Sequence, residues 1–207
     1  MNKILEARER IYDHIEDSSS CGWCDCCSYI DFERYCVAKD TVQDTAEAVM
    51  SHREQGFTDD VYRRYVEYYG VLQAIYMQQD AIKALFALFM APDEIDYSLL
   101  PNWQILRDLR NNTVGHPVGR LKRLDRSQIA YDCVNYQWYP KDNPSSCKSE
   151  NINLGAVLDG YDCEAGGVLQ SIWSRLEAEC TAKHTQQTHA DTTSETAPSA
   201  ASEASDA

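Results

Sequence analysis

The chain has 207 residues, 43% of them hydrophobic and 25% charged, with a formal net charge of −14. That length suits one domain with a tail and is enough to bury a core without staples, while the acidic balance argues against a general nucleic-acid coat. No apolar run approaches the ~18 residues a membrane span needs, and the opening "MNKILEARERIYDHIED" has no apolar signal-peptide core, so a soluble, cytoplasmic protein without membrane contact is expected.

Residues 2–17 repeat Ile4, Leu5, Ile11, Tyr12 and Ile15 at helical spacing. The stretch "SSSCGWCDCCS" breaks the pattern and reads as a Cys-rich loop insertion spanning 18–30. Helical character resumes over 31–55, with Gly56 as its expected C-terminal cap. Asp59 or Asp60 caps the next helix, which runs to about Met90 and carries Val61, Tyr65, Tyr68, Leu72, Ile75, Ile82, Phe86 and Phe89 along one face. Its Tyr62, Tyr65, Tyr68, Tyr69 and Tyr76 resemble a base-stacking platform, but helical spacing favours core packing.

After Pro92, Ser98 is the expected cap of a helix that starts near Pro101 and buries Trp103, Leu106 and Leu109. Residues 127–140 alternate and are rich in aromatic and β-branched types, so a short strand or hairpin is expected there. A loop at 141–150, a short helix at 152–159 and a final helix at 165–180 follow. Residues 181–207 hold no Leu, Ile, Val, Phe, Tyr or Trp and are expected to be disordered. The fold class is therefore all-α: residues 1–180 form a single up-and-down bundle of four to six helices with a small β excursion.

Charge is spread unevenly. Residues 1–60 hold fourteen acids and six bases, whereas 107–126 hold six bases and two acids. That basic stretch contains "LRDLRNNTVGHPVGR". Pro117 disfavours the α conformation at His116, and Gly115 is free to adopt left-handed geometry, so the helix is expected to end near Val114. The break lets the His116 imidazole swing back toward Arg110.

These residue types suit a phosphodiester. Arg110 offers a permanently charged fork for phosphate oxygens, and His116 has an ordinary pKa near ~6.5 that allows proton transfer at neutral pH. Asn111 and Asn112 add neutral donors and acceptors. With RNA the 2′-hydroxyl is the nucleophile, so catalysis requires no cofactor. Arg107, Arg120, Lys122 and Arg123 are candidate substrate-binding cations. The bland reading is that His116 serves the helix macrodipole and Arg110 pairs with Asp108 or Asp125.

"LRDLRNNTVGHP", placed after a long aromatic-rich helix, resembles the signature of the HEPN superfamily (higher eukaryotes and prokaryotes nucleotide-binding). Members are small helical bundles with an Arg–polar–His motif, and Arg110, Asn111 and His116 fit it. The resemblance covers about 31–117. It implies a metal-independent endoribonuclease that gives 2′,3′-cyclic phosphate ends, with Arg110 and His116 catalytic and Asn111 supporting. It also implies RNA as substrate, a homodimer with two Arg–His sets lining one cleft, and an antitoxin or phage-defence partner. Some toxin members carry a Tyr two residues after the His, where this chain has Val118. The alternative is a non-catalytic nucleotide-binding, RNA-binding or assembly module.

The chain has nine cysteines, and in the absence of an export signal they are expected to be thiols. Cys21, Cys24 and Cys27 repeat the two-residue spacing of a tetrahedral metal site, and Cys36 supplies a fourth ligand, with Cys26 able to replace Cys27. A structural zinc would clip the loop onto the second helix. Cys133, Cys147, Cys163 and Cys180 are scattered and read as fillers or exposed thiols.

Overall fold

The structure is a computed structural model that describes residues 1–16, 27–115, 125–130, 133–138 and 148–194. Among these residues five α-helices form a bundle: α1 (Asn2–Glu16), α2 (Tyr29–Gln55), α3 (Val61–Met90), α4 (Pro101–Arg110) and α5 (Leu154–Ser194). A 3-10 turn (Tyr97–Leu99) precedes α4, and a π-helical turn (Asn111–Gly115) follows it. Strands β1 (Asp125–Ala130), β2 (Cys133–Trp138) and β3 (Lys148–Asn153) make an antiparallel sheet in the order β1-β2-β3.

Local chemistry fixes the ends of α2 and α3. Ser28 caps α2, its hydroxyl accepting from the Asp31 N–H. Gly56 ends that helix at φ 70°, a conformation that costs a residue without a Cβ little. Asp60 caps α3 by accepting from the N–H groups of Tyr62 and Arg63. The short link between α2 and α3 makes them antiparallel neighbours.

The core runs the length of the bundle through Ile4 and Ile11 of α1, Tyr35 and Val42 of α2, Tyr68, Leu72, Ile75 and Ile82 of α3, Trp103 and Leu106 of α4, and Leu169 and Ile172 of α5. Each such side chain contributes about 1.5–3 kcal/mol relative to exposure. Val134 of β2 and Leu154 at the start of α5 join the same core and anchor the sheet to it. Tyr68 is fully buried as expected, but Val61 is 57% exposed and Tyr62 86% exposed, so the first turn of α3 stands clear of the core.

Several expectations are corrected. Residues 148–153 form β3, where the end of a loop (to 150) and the start of a short helix (from 152) were expected, and pair with β2 in a register set by Cys133↔Asn153 and Trp138↔Lys148. The two expected helices at 152–159 and 165–180 are one continuous α5, started by Asn153, whose side chain accepts from the Ala156 N–H. The helical backbone continues through 181–194, where disorder was expected; residues 195–207 lie outside the described set. That extension needs no new nucleus, because it prolongs a helix already formed, and Thr181 and Thr185 return their hydroxyls to the carbonyls one turn back.

The glycine pair of "EAGGVL" sits inside α5, and Gly166 allows close packing. A Cβ on Gly166 would stand 2.9 Å from Lys3 Cβ and 3.1 Å from the Lys3 carbonyl carbon, so α1 and α5 meet there backbone to backbone. Gly166→Ala is expected to destabilise the fold by about 1–3 kcal/mol through overpacking, read as a lower urea midpoint. A gain in stability from the better helix former would refute the close approach.

Two carboxylates of α5 cap two other helices. Asp162 accepts from the N–H groups of Lys3 (3.2 Å) and Ile4 (3.1 Å) at the start of α1 and pairs with the Met1 amine at 3.2 Å. Glu164 accepts from the Asn102 N–H (3.0 Å), the Asn102 side-chain amide (2.6 Å) and the Trp103 N–H (2.8 Å) at the start of α4. Ser98 is therefore not the cap of α4. Its hydroxyl and N–H both donate to Asp96, which starts the 3-10 turn, and these bonds hold the Asp96 carboxyl below its ordinary value.

Trp103 packs beside Tyr161, with ring centroids 5.6 Å apart. The Tyr161 hydroxyl has no hydrogen-bond partner among the described residues, and burial pushes its phenol well above the ordinary value. In the unfolded chain this group titrates near ~10. Above that pH the unfolded state releases a proton the native state keeps, so stability falls by about 1.4 kcal/mol per pH unit. Tyr161→Phe is expected to match wild type near neutrality and to lose less stability in thermal melts at alkaline pH. An equal alkaline loss in both proteins would contradict this.

Candidate functional site

Two adjacent glutamines buried in the middle of α3 tie that helix to its neighbours, the Arg-bearing α4 among them. Gln78 donates to the Val42 carbonyl and the Thr45 hydroxyl, both at 3.2 Å, fixing α3 to α2. Gln79 donates to the Trp103 carbonyl at 3.0 Å, fixing α3 to α4. Its side-chain oxygen accepts from Arg107 at 3.4 Å. A buried amide without such partners would cost about 1–3 kcal/mol, so the pair specifies how α4 lies on α3.

Arg107 and Arg110 lie one turn apart on α4, and their guanidinium carbons sit 4.4 and 4.0 Å from the Tyr76 ring centroid. The two cations differ in their other partners. Arg107 pairs with Asp80 at 3.0 Å and is thereby neutralised. Arg110 donates twice to the Gln73 side-chain oxygen, at 3.2 and 3.1 Å, and once to the Asn111 side-chain oxygen at 3.3 Å. Among the described residues no carboxylate lies within ion-pair distance of Arg110. Neutral acceptors and a ring face therefore orient this guanidinium without cancelling its charge, which leaves it suited to an anion.

The helix changes character directly after Arg110. The Asn111 N–H is shared between the Arg107 and Asp108 carbonyls, and residues 111–115 widen into a π turn. The buried Thr113 hydroxyl donates to the Leu109 carbonyl at 2.6 Å, a back-bond of the kind that bends helices. The helical backbone thus continues to Gly115 through a π turn, in place of the left-handed ending expected at that glycine.

Of the expected site residues, Arg107, Arg110 and Asn111 are brought together, and Asn112 is half-buried in the π turn. His116, Arg120, Lys122 and Arg123 lie outside the described residues. So do Cys21 and Cys24 of the expected zinc set, while Cys27 and Cys36 are half-buried and in no disulfide. Among the described residues no cluster of three or more His, Cys, Asp or Glu side chains is placed to hold a metal ion. No described helix is long and apolar enough to cross a membrane.

Sequence reasoning missed Gln73, Tyr76, Gln79 and Asp80. Their signal was present as polar side chains inside an apolar helix, at 73, 76 and 80 on one face. An apolar groove of ≈ 590 Å³ opens beside that face, between α2 and α3, with Gln73, Tyr76 and Asp80 in its wall. No protein-family model, curated protein or solved structure matches this chain.

Proposed function

We propose that the protein is a metal-independent endoribonuclease of HEPN type. The observation that carries this reading is Arg110, oriented by Gln73, Asn111 and the Tyr76 face yet uncompensated by any described acid. An arginine so prepared binds the scissile phosphate and stabilises the charge that builds on five-coordinate phosphorus. His116, six residues on, moves the proton of the 2′-hydroxyl or of the leaving 5′-oxygen. The π turn between them supports the reading, since such turns recur at functional sites. Purified protein is expected to cut single-stranded RNA in EDTA, and His116→Ala to abolish cutting without lowering the melting temperature. Intact RNA after long incubation with wild type would defeat the proposal.

The active form in this reading is a cytoplasmic homodimer that sets two Arg110–His116 pairs in one cleft, within a toxin–antitoxin or phage-defence system. Val61, Tyr62 and Val66 at the start of α3 are 57%, 86% and 70% exposed and supply an apolar contact face. Tyr62→Glu is expected to convert the dimer to monomer in sedimentation velocity. A wild type that sediments as a monomer at all concentrations would remove the dimer. Structural zinc on Cys21, Cys24, Cys27 and Cys36 remains part of the proposal as a clip for the loop, not as a participant in cleavage.

A further inference from the structure

The groove beside Arg110 is unassigned by the chemistry at the phosphate. Its walls are Val37 and Ala38 of α2 and Met77, Ala81 and Ala84 of α3, and Val37 and Met77 are 67% and 48% exposed. Gln73 and Tyr76 close the end nearest the guanidinium, and both also touch Arg110. Asp80, whose Oδ1 already takes Arg107 and Lys83, keeps its second oxygen for an exocyclic amino group, and Glu33 in the same wall adds further acceptor oxygens. An apolar slot with acceptors on its edge and a cation at one end matches a ligand that is flat, apolar on its faces, polar at its rim and anionic at one side. That is a nucleobase joined to its phosphate. The volume, ≈ 590 Å³, is in the range of nucleotide-sized sites.

We propose that this groove takes an unpaired nucleobase next to the phosphate bound at Arg110, so that the protein selects single-stranded over duplex RNA. A paired base has its faces covered by its neighbours and its edge hydrogen-bonded, so it cannot enter. The base site rests on the phosphate reading above only for where the adjoining phosphate sits.

The test uses the full chain, a short fluorescein-labelled RNA strand of mixed sequence with 2′-deoxy sugars to prevent cutting, and the same strand annealed to its complement. Wild type is expected to bind the single strand about tenfold or more tightly than the duplex, the effect of one base–aromatic or base–apolar stack. Ala84→Trp, which fills the slot from an exposed position, and Met77→Glu, which charges its wall, are expected to erase that preference with unchanged circular dichroism. Equal affinity for strand and duplex, or full preference in both variants, would overturn the proposal. So would a wild-type dimer that these two variants dissociate, since a second copy would then occupy the groove. Strand-selective binding by a wild type that cuts no all-ribose strand would keep the base site and reject the nuclease. Cutting with unaltered strand preference in Ala84→Trp would do the reverse.

Discussion

Arg110→Ala is expected to lower RNA cleavage by about 10²–10³-fold, the loss that follows removal of one preorganised donor to a developing anion. The effect should fall on kcat more than on KM, because the guanidinium is oriented before substrate arrives and gains most as charge builds on phosphorus. Arg110→Lys is expected to recover little: an ammonium cannot donate twice to the Gln73 oxygen while lying flat on the Tyr76 ring. The fold should survive either change, since Arg110 is half-buried and its loss removes a cation–π contact of about 1 kcal/mol. Arg107→Ala is the informative contrast. Arg107 is already paired with Asp80, so its removal should cost much less activity. Full activity in Arg110→Ala, or equal losses at the two arginines, would show that compensation by Asp80 does not separate their chemistry.

Glu164→Ala is expected to cost about 3 kcal/mol of stability, because it leaves the Asn102 and Trp103 backbone N–H groups and one side-chain amide without their acceptor. Loss of a carboxylate at the positive end of the α4 dipole adds to it. Glu164→Gln keeps one acceptor oxygen and should lose about half as much. The damage should spread to the site, since α4 carries Arg107 and Arg110, and loosening its start frees the helix to shift on Gln79. Urea unfolding measures the stability. A change under ~0.5 kcal/mol, the range of ordinary surface substitutions, would mean that water serves these groups equally well.

The helices were legible where short-range chemistry sets them. Gly56 and Asp60 could be read as caps because capping is a matter of two or three neighbouring residues, and α3 ends at Met90 as its periodicity predicts. Where long-range contacts decide, the sequence misled. Ser98 offered a plausible hydroxyl, but the acceptor for α4 is Glu164, sixty-two residues from Asn102. The helix expected over 165–180 already held Gly166, but the approach of α1 that requires a glycine there depends on Lys3, far away in sequence. β3 was missed because "KSENIN" carries little of the apolar alternation that marks a strand, and its pairing with β2 supplies what propensity does not.

The site divides the same way. Arg110 and Asn111 were legible as chemistry because residue type and spacing announce a phosphate ligand. What makes Arg110 a competent one is a separate matter: Gln73 and Tyr76 are thirty-seven and thirty-four positions earlier, on another helix. No local pattern distinguishes an arginine held by an amide and a ring from one cancelled by an acid. Tyr76 shows the ambiguity best. Helical spacing assigned it to the core with Tyr68, yet Tyr68 is buried and Tyr76 lies half-buried beneath two guanidinium groups.

The most direct measurement is cleavage, in EDTA, of one RNA strand made in two forms: all-ribose, and with a single 2′-deoxy sugar at the nucleotide where the all-ribose strand is cut. The all-ribose strand is expected to yield a 2′,3′-cyclic phosphate and a 5′-hydroxyl, and the deoxy strand to stay whole at that linkage. Cutting of both strands at the same linkage, or cutting that begins only when a divalent cation is added, would contradict attack by the neighbouring hydroxyl on a phosphate held by Arg110.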